Sequence, residues 1–473
     1  MNKEDLSFMP AYEMAEKIKS QELSSQEITE TIIERIEKIN PRINAYCTTT
    51  FNLARETAKK ADNAVKKSKK LGLLHGIPCS IKDLIETKNI RTTFGCKIFE
   101  NHVPMRDEAV IRRLKDAGII ILGKTNSPAY GYKGVTDNLI FGATKNPWNL
   151  EKTSGGSSGG AAAAVVSGLG PLALGSDGGG SIRIPSCFCG SYGLKPTFGR
   201  IPQGSMQEFG YFGSLVHYGP IVRYVKDAAL ILDAMVGQHE SDRYSLPKPE
   251  YSFTTKLKEN PTKLKFGYSF DLGYAKILDN EVKGKVLEAI EKFEQYGFET
   301  EEIDIQIKYA EEVMNTFWTS GFAFAFKEYL PEWENKIDGG LVAIIKHGLK
   351  YSVQEIKLAE IRREQIHKEI CRQFRNIDLL ITPTLACLPF DLGIDVPEKI
   401  DGKETSPLEW LPFTYPFNLS GHPAASIPCG WSKDSLPIGM QIVGKRFDEV
   451  LILQISKIFE QIAPWQDKKP SLD

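Results

Sequence analysis

The chain lacks most of the features that mark a specialised protein early. Its charges nearly cancel, 59 Lys and Arg against 60 Asp and Glu, for a formal net charge of −1. That balance offers no pull toward a polyanion, so no nucleic acid and no membrane surface is expected as a partner. Eight cysteines among 473 residues are too few and too scattered for a disulfide framework. The opening stretch, MNKEDLSFMPAYEMAEKIKS, has no apolar core of the kind a secretory signal needs. A reducing, cytoplasmic setting is therefore expected, with cysteines acting mainly as small apolar residues. Cys187 and Cys189 have no second pair and no nearby histidines, so no metal is expected. No phosphate loop of the form G-x-x-x-x-G-K-[ST] is present, and no cofactor is expected.

Glycine, by contrast, is concentrated. Between Thr153 and Thr197 lie two clusters, Gly155-Gly156-Ser157-Ser158-Gly159-Gly160 and Gly178-Gly179-Gly180-Ser181, separated by a small-residue helical run from Ala161 to Ser167. Glycine at this density weakens any helix or strand. It suits a backbone that must approach another group closely, and successive free N–H groups in such loops make an anion-binding concavity. The stretch from Thr153 to Ser176 carries no charge, but its seven glycines and Pro171 do not suit a membrane span. A flexible linker would not contain the alanine helix. Gly155-x-Ser157-x-Gly159 matches a nucleophile elbow, yet the preceding Lys145–Lys152 is polar and broken by Pro147, where that motif needs a buried strand.

Along the rest of the chain the pattern alternates. Helices are predicted over 10–20, 25–39, 51–69, 108–117, 225–236, 280–296 and 450–461, with 307–376 mostly helical. Strands are predicted at 76–81, 119–122, 264–268, 298–303, 379–381, 424–428 and 440–443. This is α/β rhythm, with a largely parallel sheet. Residues 123–148 read as loop, and those after Trp465 as a frayed tail. The aromatic group Phe317, Trp318, Phe322, Phe324 and Phe326 reads as core more readily than as pocket.

The residues supply two serines in glycine nests and one lysine, Lys82, at a strand end. A serine needs a base to become a nucleophile, and a neutral lysine serves when burial lowers its pKa. Backbone N–H groups of consecutive glycines stabilise an oxyanion. Spacing by itself does not bring Lys82 to Ser157 or Ser181, and His217 or His422 could equally be folded close.

The runs GGSSGG, GSDGGGSIRIP and CGSYGLKPTFGRIP resemble the amidase signature family, and so do GIPCSIKD, LGKTN, FGATKNPWN, LLITPT, PFNLSGHPAASIP and PIGMQIVG. The match is clear over 76–197 and 379–443 and weak over 240–370. The resemblance implies an α/β amidase signature fold, a large mixed central sheet covered by α-helices on both faces. It divides the chain into an N-terminal helical segment, 1–70, packed on the body, and one amidase domain, 71–473. Within that domain it implies a signature core at 76–240, a divergent pocket region at 240–376 and completion of the sheet at 377–465.

It also implies the chemistry: hydrolysis of a carboxamide to a carboxylate plus ammonia or amine through a serine acyl-enzyme. Ser181 matches the nucleophile, Ser157 the bridging serine behind a cis peptide, and Lys82 the base. Gly178, Gly179, Gly180 and Ser181 match the oxyanion loop, and Ser158, Asp177 and Arg183 its supports. Tyr130, Tyr132, Phe317, Trp318 and Leu411 are assigned to the substrate pocket. The expected partner is a small-molecule amide, with a homodimer as the assembly to test for.

Three positions depart from common family patterns. Gly178 replaces a threonine, and Ala129 a glutamate. The third bears on function, because the amidase component of tRNA-dependent amidotransferase has an aspartate three residues before the threonine of T-x-P-x-N, to hold ammonia. Here that motif is Thr414-Tyr415-Pro416-Phe417-Asn418, and the position is Leu411. The expectation is a free-standing hydrolase, with that component, or a non-catalytic family member acting as a binding protein, as the alternatives.

Overall fold

Apolar periodicity sets the outer helices. Ile28, Ile32, Ile33, Ile36, Ile39 and Ile43 line one face of the helix Ser25–Ile43 and are buried. Its first turn is closed by Ser24, whose hydroxyl accepts from the Glu27 N–H at 3.0 Å. The computed structural model describes residues 2–204 and 214–472.

Among the described residues eleven strands form one mixed sheet. From one edge to the other they run Tyr46–Thr49, Ile120–Thr125, Pro78–Lys82, Leu172–Asp177, His217–Val222, Tyr192–Lys195, Ala424–Trp431, Pro437–Gly444, Leu379–Pro383, Lys265–Tyr268 and Glu299–Glu302. Pro78–Lys82 is parallel to both neighbours, and a second parallel group joins Leu379–Pro383, Lys265–Tyr268 and Glu299–Glu302. The strands between these groups pair antiparallel. The sheet is therefore mixed rather than largely parallel. Its Tyr46–Thr49 edge comes from the first 70 residues, which also contribute four helices.

The small-residue run becomes the helix Gly159–Val166, buried along its whole length. Glycine, alanine and valine let it lie close against the sheet, which accounts for the absence of charge. Among the described residues no helix is long and apolar enough to cross a membrane.

Several strands escape sequence patterning. Leu172–Asp177, Tyr192–Lys195 and His217–Val222 are buried throughout, so none shows a polar/apolar alternation. The polar segment before the first glycine cluster is not loop but a short hairpin, Lys145–Asn146 against Asn149–Thr153, turning at Pro147-Trp148. The C-terminal residues are not frayed either. Leu472 is 1 % exposed, Arg42 donates to its carbonyl, and Arg223 donates to the carbonyl of Gln466 at 2.5 Å.

Candidate active site

Three chain segments meet at the C-terminal end of the parallel group. Lys82 ends its strand fully buried, with Nζ 2.7 Å from Ser157 Oγ and 3.4 Å from the Ser176 carbonyl. Burial drives its pKa well below the ordinary lysine value, while the Asp177 carboxylate pulls weakly the other way. Asp83, its neighbour in sequence, turns elsewhere: its Oδ2 accepts from the N–H and hydroxyl of Thr93, at 3.0 and 2.5 Å. The lysine thus keeps no adjacent carboxylate to hold its proton.

Ser157 follows a cis peptide bond, Gly156–Ser157. The backbone of Gly131 covers its hydroxyl. A Cβ at position 131 would lie 2.8 Å from Ser157 Oγ and 2.9 Å from Leu84, at φ +71°, so only glycine fits. The second serine loop lies alongside. The Ser158 N–H donates to the Ser181 carbonyl at 3.1 Å, and the Ser158 hydroxyl to the Ser176 carbonyl at 3.2 Å.

Ser181 sits in a strand–loop–helix turn between Leu172–Asp177 and Arg183–Cys189. Asp177 holds that turn from below, accepting from Gly180 N–H at 2.7 Å, Ile182 N–H at 3.1 Å and Arg183 Nε at 2.9 Å. Burial alone would raise this carboxyl, but the Arg183 guanidinium, together with Lys195 and Asn418, holds it well below the usual range. The Gly180 N–H is committed to Asp177, whereas those of Gly178, Gly179 and Ser181 reach no acceptor among the described residues.

Arg183 is wholly buried and fully used. Beyond Asp177 it donates to the Thr414 carbonyl at 2.7 Å, Gln441 Oε1 at 2.7 Å and Asn418 Oδ1 at 2.5 Å. Asn418 closes the loop by donating to the Asp177 carbonyl and carboxylate at 3.0 and 2.8 Å. The Thr414 hydroxyl donates to the Gly179 carbonyl at 2.7 Å. None of Thr414, Asn418 and Gln441 was assigned a supporting role from sequence. The T-x-P-x-N motif was the available signal for the first two. Arg183→Met is expected to strand Asp177 as a lone buried charge and to cost about 3–5 kcal/mol, readable by urea denaturation.

The expected pocket residues fall in two apolar clusters that share Trp318, one with Tyr130 and Tyr132 and the other with Phe317 and Leu411. Trp318 lies against the Gly178–Gly180 loop, where a Cβ on Gly178 would meet its ring at 2.9 Å, and its Nε1 donates to the Tyr132 carbonyl at 2.9 Å. Tyr132 turns its hydroxyl to Asp338 at 2.6 Å. Leu411 is buried in an apolar cluster with Trp410 and Phe413. Tyr130 is stacked on Phe94 at 5.1 Å and packed edge-on against Phe326 at 4.5 Å, within an aromatic cluster. Phe317 lies beneath the Arg363 guanidinium. Met314, not anticipated, reaches Gly179. Among the described residues neither His217 nor His422 is hydrogen-bonded to Lys82. His217 Nδ1 is engaged with the Leu215 carbonyl at 2.7 Å, and His422 Nδ1 with the Ser420 hydroxyl at 2.9 Å.

A buried lysine on a serine hydroxyl, beside a second serine in a glycine loop, suits a serine hydrolase that uses no histidine. The amidase family model matches residues 27–453, and the chain belongs to that family. It is 38% identical to an acylamidase of Rhodococcus erythropolis, over 100% of this chain and 99% of that protein. It is 37% identical to a glutamyl-tRNA(Gln) amidotransferase subunit of Sulfurihydrogenibium sp. (strain YO3AOP1), over 97% of this chain and 98% of the relative. The fold matches a bacterial aryl acylamidase of the amidase signature family with a TM-score of 0.92 at 31% identity, covering 97% of each chain. The protein is an amidase, an enzyme acting on carbon–nitrogen bonds.

Proposed function

We propose that this amidase is a free-standing acylamidase in which Ser181 is the nucleophile, Ser157 the proton relay and Lys82 the base. The observation that carries the reading is the 2.7 Å contact between a wholly buried lysine and Ser157, next to the Ser181 loop.

The neutral lysine takes the Ser157 proton as Ser157 takes that of Ser181. Ser181 Oγ then bonds to the amide carbon, and the carbonyl electrons move onto oxygen. Gly178, Gly179 and Ser181 N–H groups face that charge, stabilisation typically worth about 3–4 kcal/mol per donor. The C–N bond breaks as the proton returns through Ser157 to the departing amine. Water, activated by the same pair, cleaves the acyl-enzyme to a carboxylate and free Ser181.

Trp318 and Met314 make the surroundings of the glycine loop apolar, which suits a hydrophobic acyl amide. Leu411 favours this over the amidotransferase reading, because an apolar side chain between Trp410 and Pro412 gives ammonia no carboxylate to bind. Purified alone, the chain is expected to hydrolyse members of a panel of acyl anilides and aliphatic, aromatic and amino-acid amides, without ATP. Turnover only in the presence of a charged tRNA and further protein components would instead support the amidotransferase reading.

A further inference from the structure

Away from Lys82 and the two serines, His367, Cys371 and His422 bring three ligand atoms within 4.8 Å of one another. His367 and Cys371 are four residues apart on the helix Val353–Gln373 and share one face. His422 arrives from the turn that follows Pro416–Leu419. The Cys371 Sγ lies 3.5 Å from His367 Nε2 and 3.9 Å from His422 Nε2. Both imidazoles are anchored through their other nitrogen to a single residue: His367 Nδ1 to the Ser420 carbonyl at 3.2 Å, and His422 Nδ1 to the Ser420 hydroxyl at 2.9 Å. Histidines that bind metal through one ring nitrogen commonly have the other held this way, which fixes both tautomer and orientation.

We infer that His367, Cys371 and His422 form a binding site for a zinc-like divalent cation, with a fourth position open to solvent. Two imidazoles and a thiolate are a borderline-soft donor set, suited to zinc rather than to magnesium or calcium. A tetrahedral ion with bonds of about 2.0 Å to nitrogen and 2.3 Å to sulfur needs ligand atoms roughly 3.3–3.6 Å apart. The sulfur–nitrogen distances are already near that. Cys371 is exposed and His367 only half-buried, so small side-chain rotations close the set. On binding, the cation displaces the Cys371 thiol proton to solvent.

The site has a structural consequence. Ser420 lies two residues beyond Asn418, and Arg363 of the same long helix donates to the Leu419 carbonyl at 2.6 Å. An ion here would clamp the Val353–Gln373 helix to the segment that holds Asp177.

The test uses the full chain, stripped of metal with a chelator and titrated with zinc, then with cobalt, by calorimetry and absorbance. One zinc per chain, a thiolate-to-cobalt charge-transfer band and a zinc-dependent rise in Tm are expected. Cys371→Ser should weaken zinc binding by more than about tenfold. It should also lose the band and the Tm rise, while leaving metal-free amide turnover unchanged. His367→Ala should retain the thiolate but lose the tetrahedral cobalt spectrum. Absence of stoichiometric binding by the wild-type chain would overturn the inference. So would a charge-transfer band that persists in Cys371→Ser, because another thiol would then be the ligand.

Discussion

Replacing Lys82 by alanine is expected to lower kcat by about three to four orders of magnitude, the upper range for loss of a positioned general base. A free lysine titrates near ~10.4 and would be almost wholly protonated at neutral pH. Here burial removes that obstacle, since desolvation disfavours the charged form and Asp83 is bonded to Thr93 instead of facing the ammonium. The sign follows: the base works deprotonated, so the rate rises with pH through one ionisation well below the free-lysine value and then levels. In Lys82→Ala that ionisation should vanish from the profile of kcat/KM. Retention of near-normal kcat with an unchanged profile would show that Lys82 is a structural residue and that the assigned triad is wrong. Ser157→Ala should cost less than Lys82→Ala, because a water occupying the vacated space can relay a proton.

The second large effect is expected at Ser181. Ser181→Ala removes the only group assigned to form the covalent bond, and kcat should fall by on the order of a millionfold, as for nucleophile loss in other serine hydrolases. A serine-directed phosphonate should label Ser181 and leave Ser157 unmodified, as read by peptide mass spectrometry. An adduct on Ser157 would return the Gly155-x-Ser157-x-Gly159 elbow to consideration and make a histidine base necessary. The geometry argues against this. The strand before that motif, Asn149–Thr153, belongs to a separate two-stranded hairpin, whereas the strand before Ser181 lies inside the main sheet. His422→Ala should leave the chemistry largely intact, since the ring is directed at Ser420, His367 and Cys371.

Much of this protein is written in local sequence, and the physical reason is periodicity. Helices such as Ser25–Ile43 and Asn280–Tyr296 bury one face only, so their apolar residues recur every three or four positions and can be read directly. Family membership and the candidates Lys82, Ser157 and Ser181 were legible for another reason: glycine clusters are costly to keep and so stand out. Strands buried on both faces, such as Leu172–Asp177, have no period to read, and only pairing revealed them. Contacts distant in sequence were also beyond reach. Lys82 meets Ser157 across 75 positions, and Arg183 finds Asn418 across 235 and Gln441 across 258. That Asp177 engages the Gly180 N–H of the glycine loop is a matter of hydrogen-bond geometry rather than of residue type. His367 and Cys371 carry a helical spacing that sequence does show. What makes a site of them is His422, delivered by a different segment, because a metal site needs convergence in three dimensions that no linear pattern specifies.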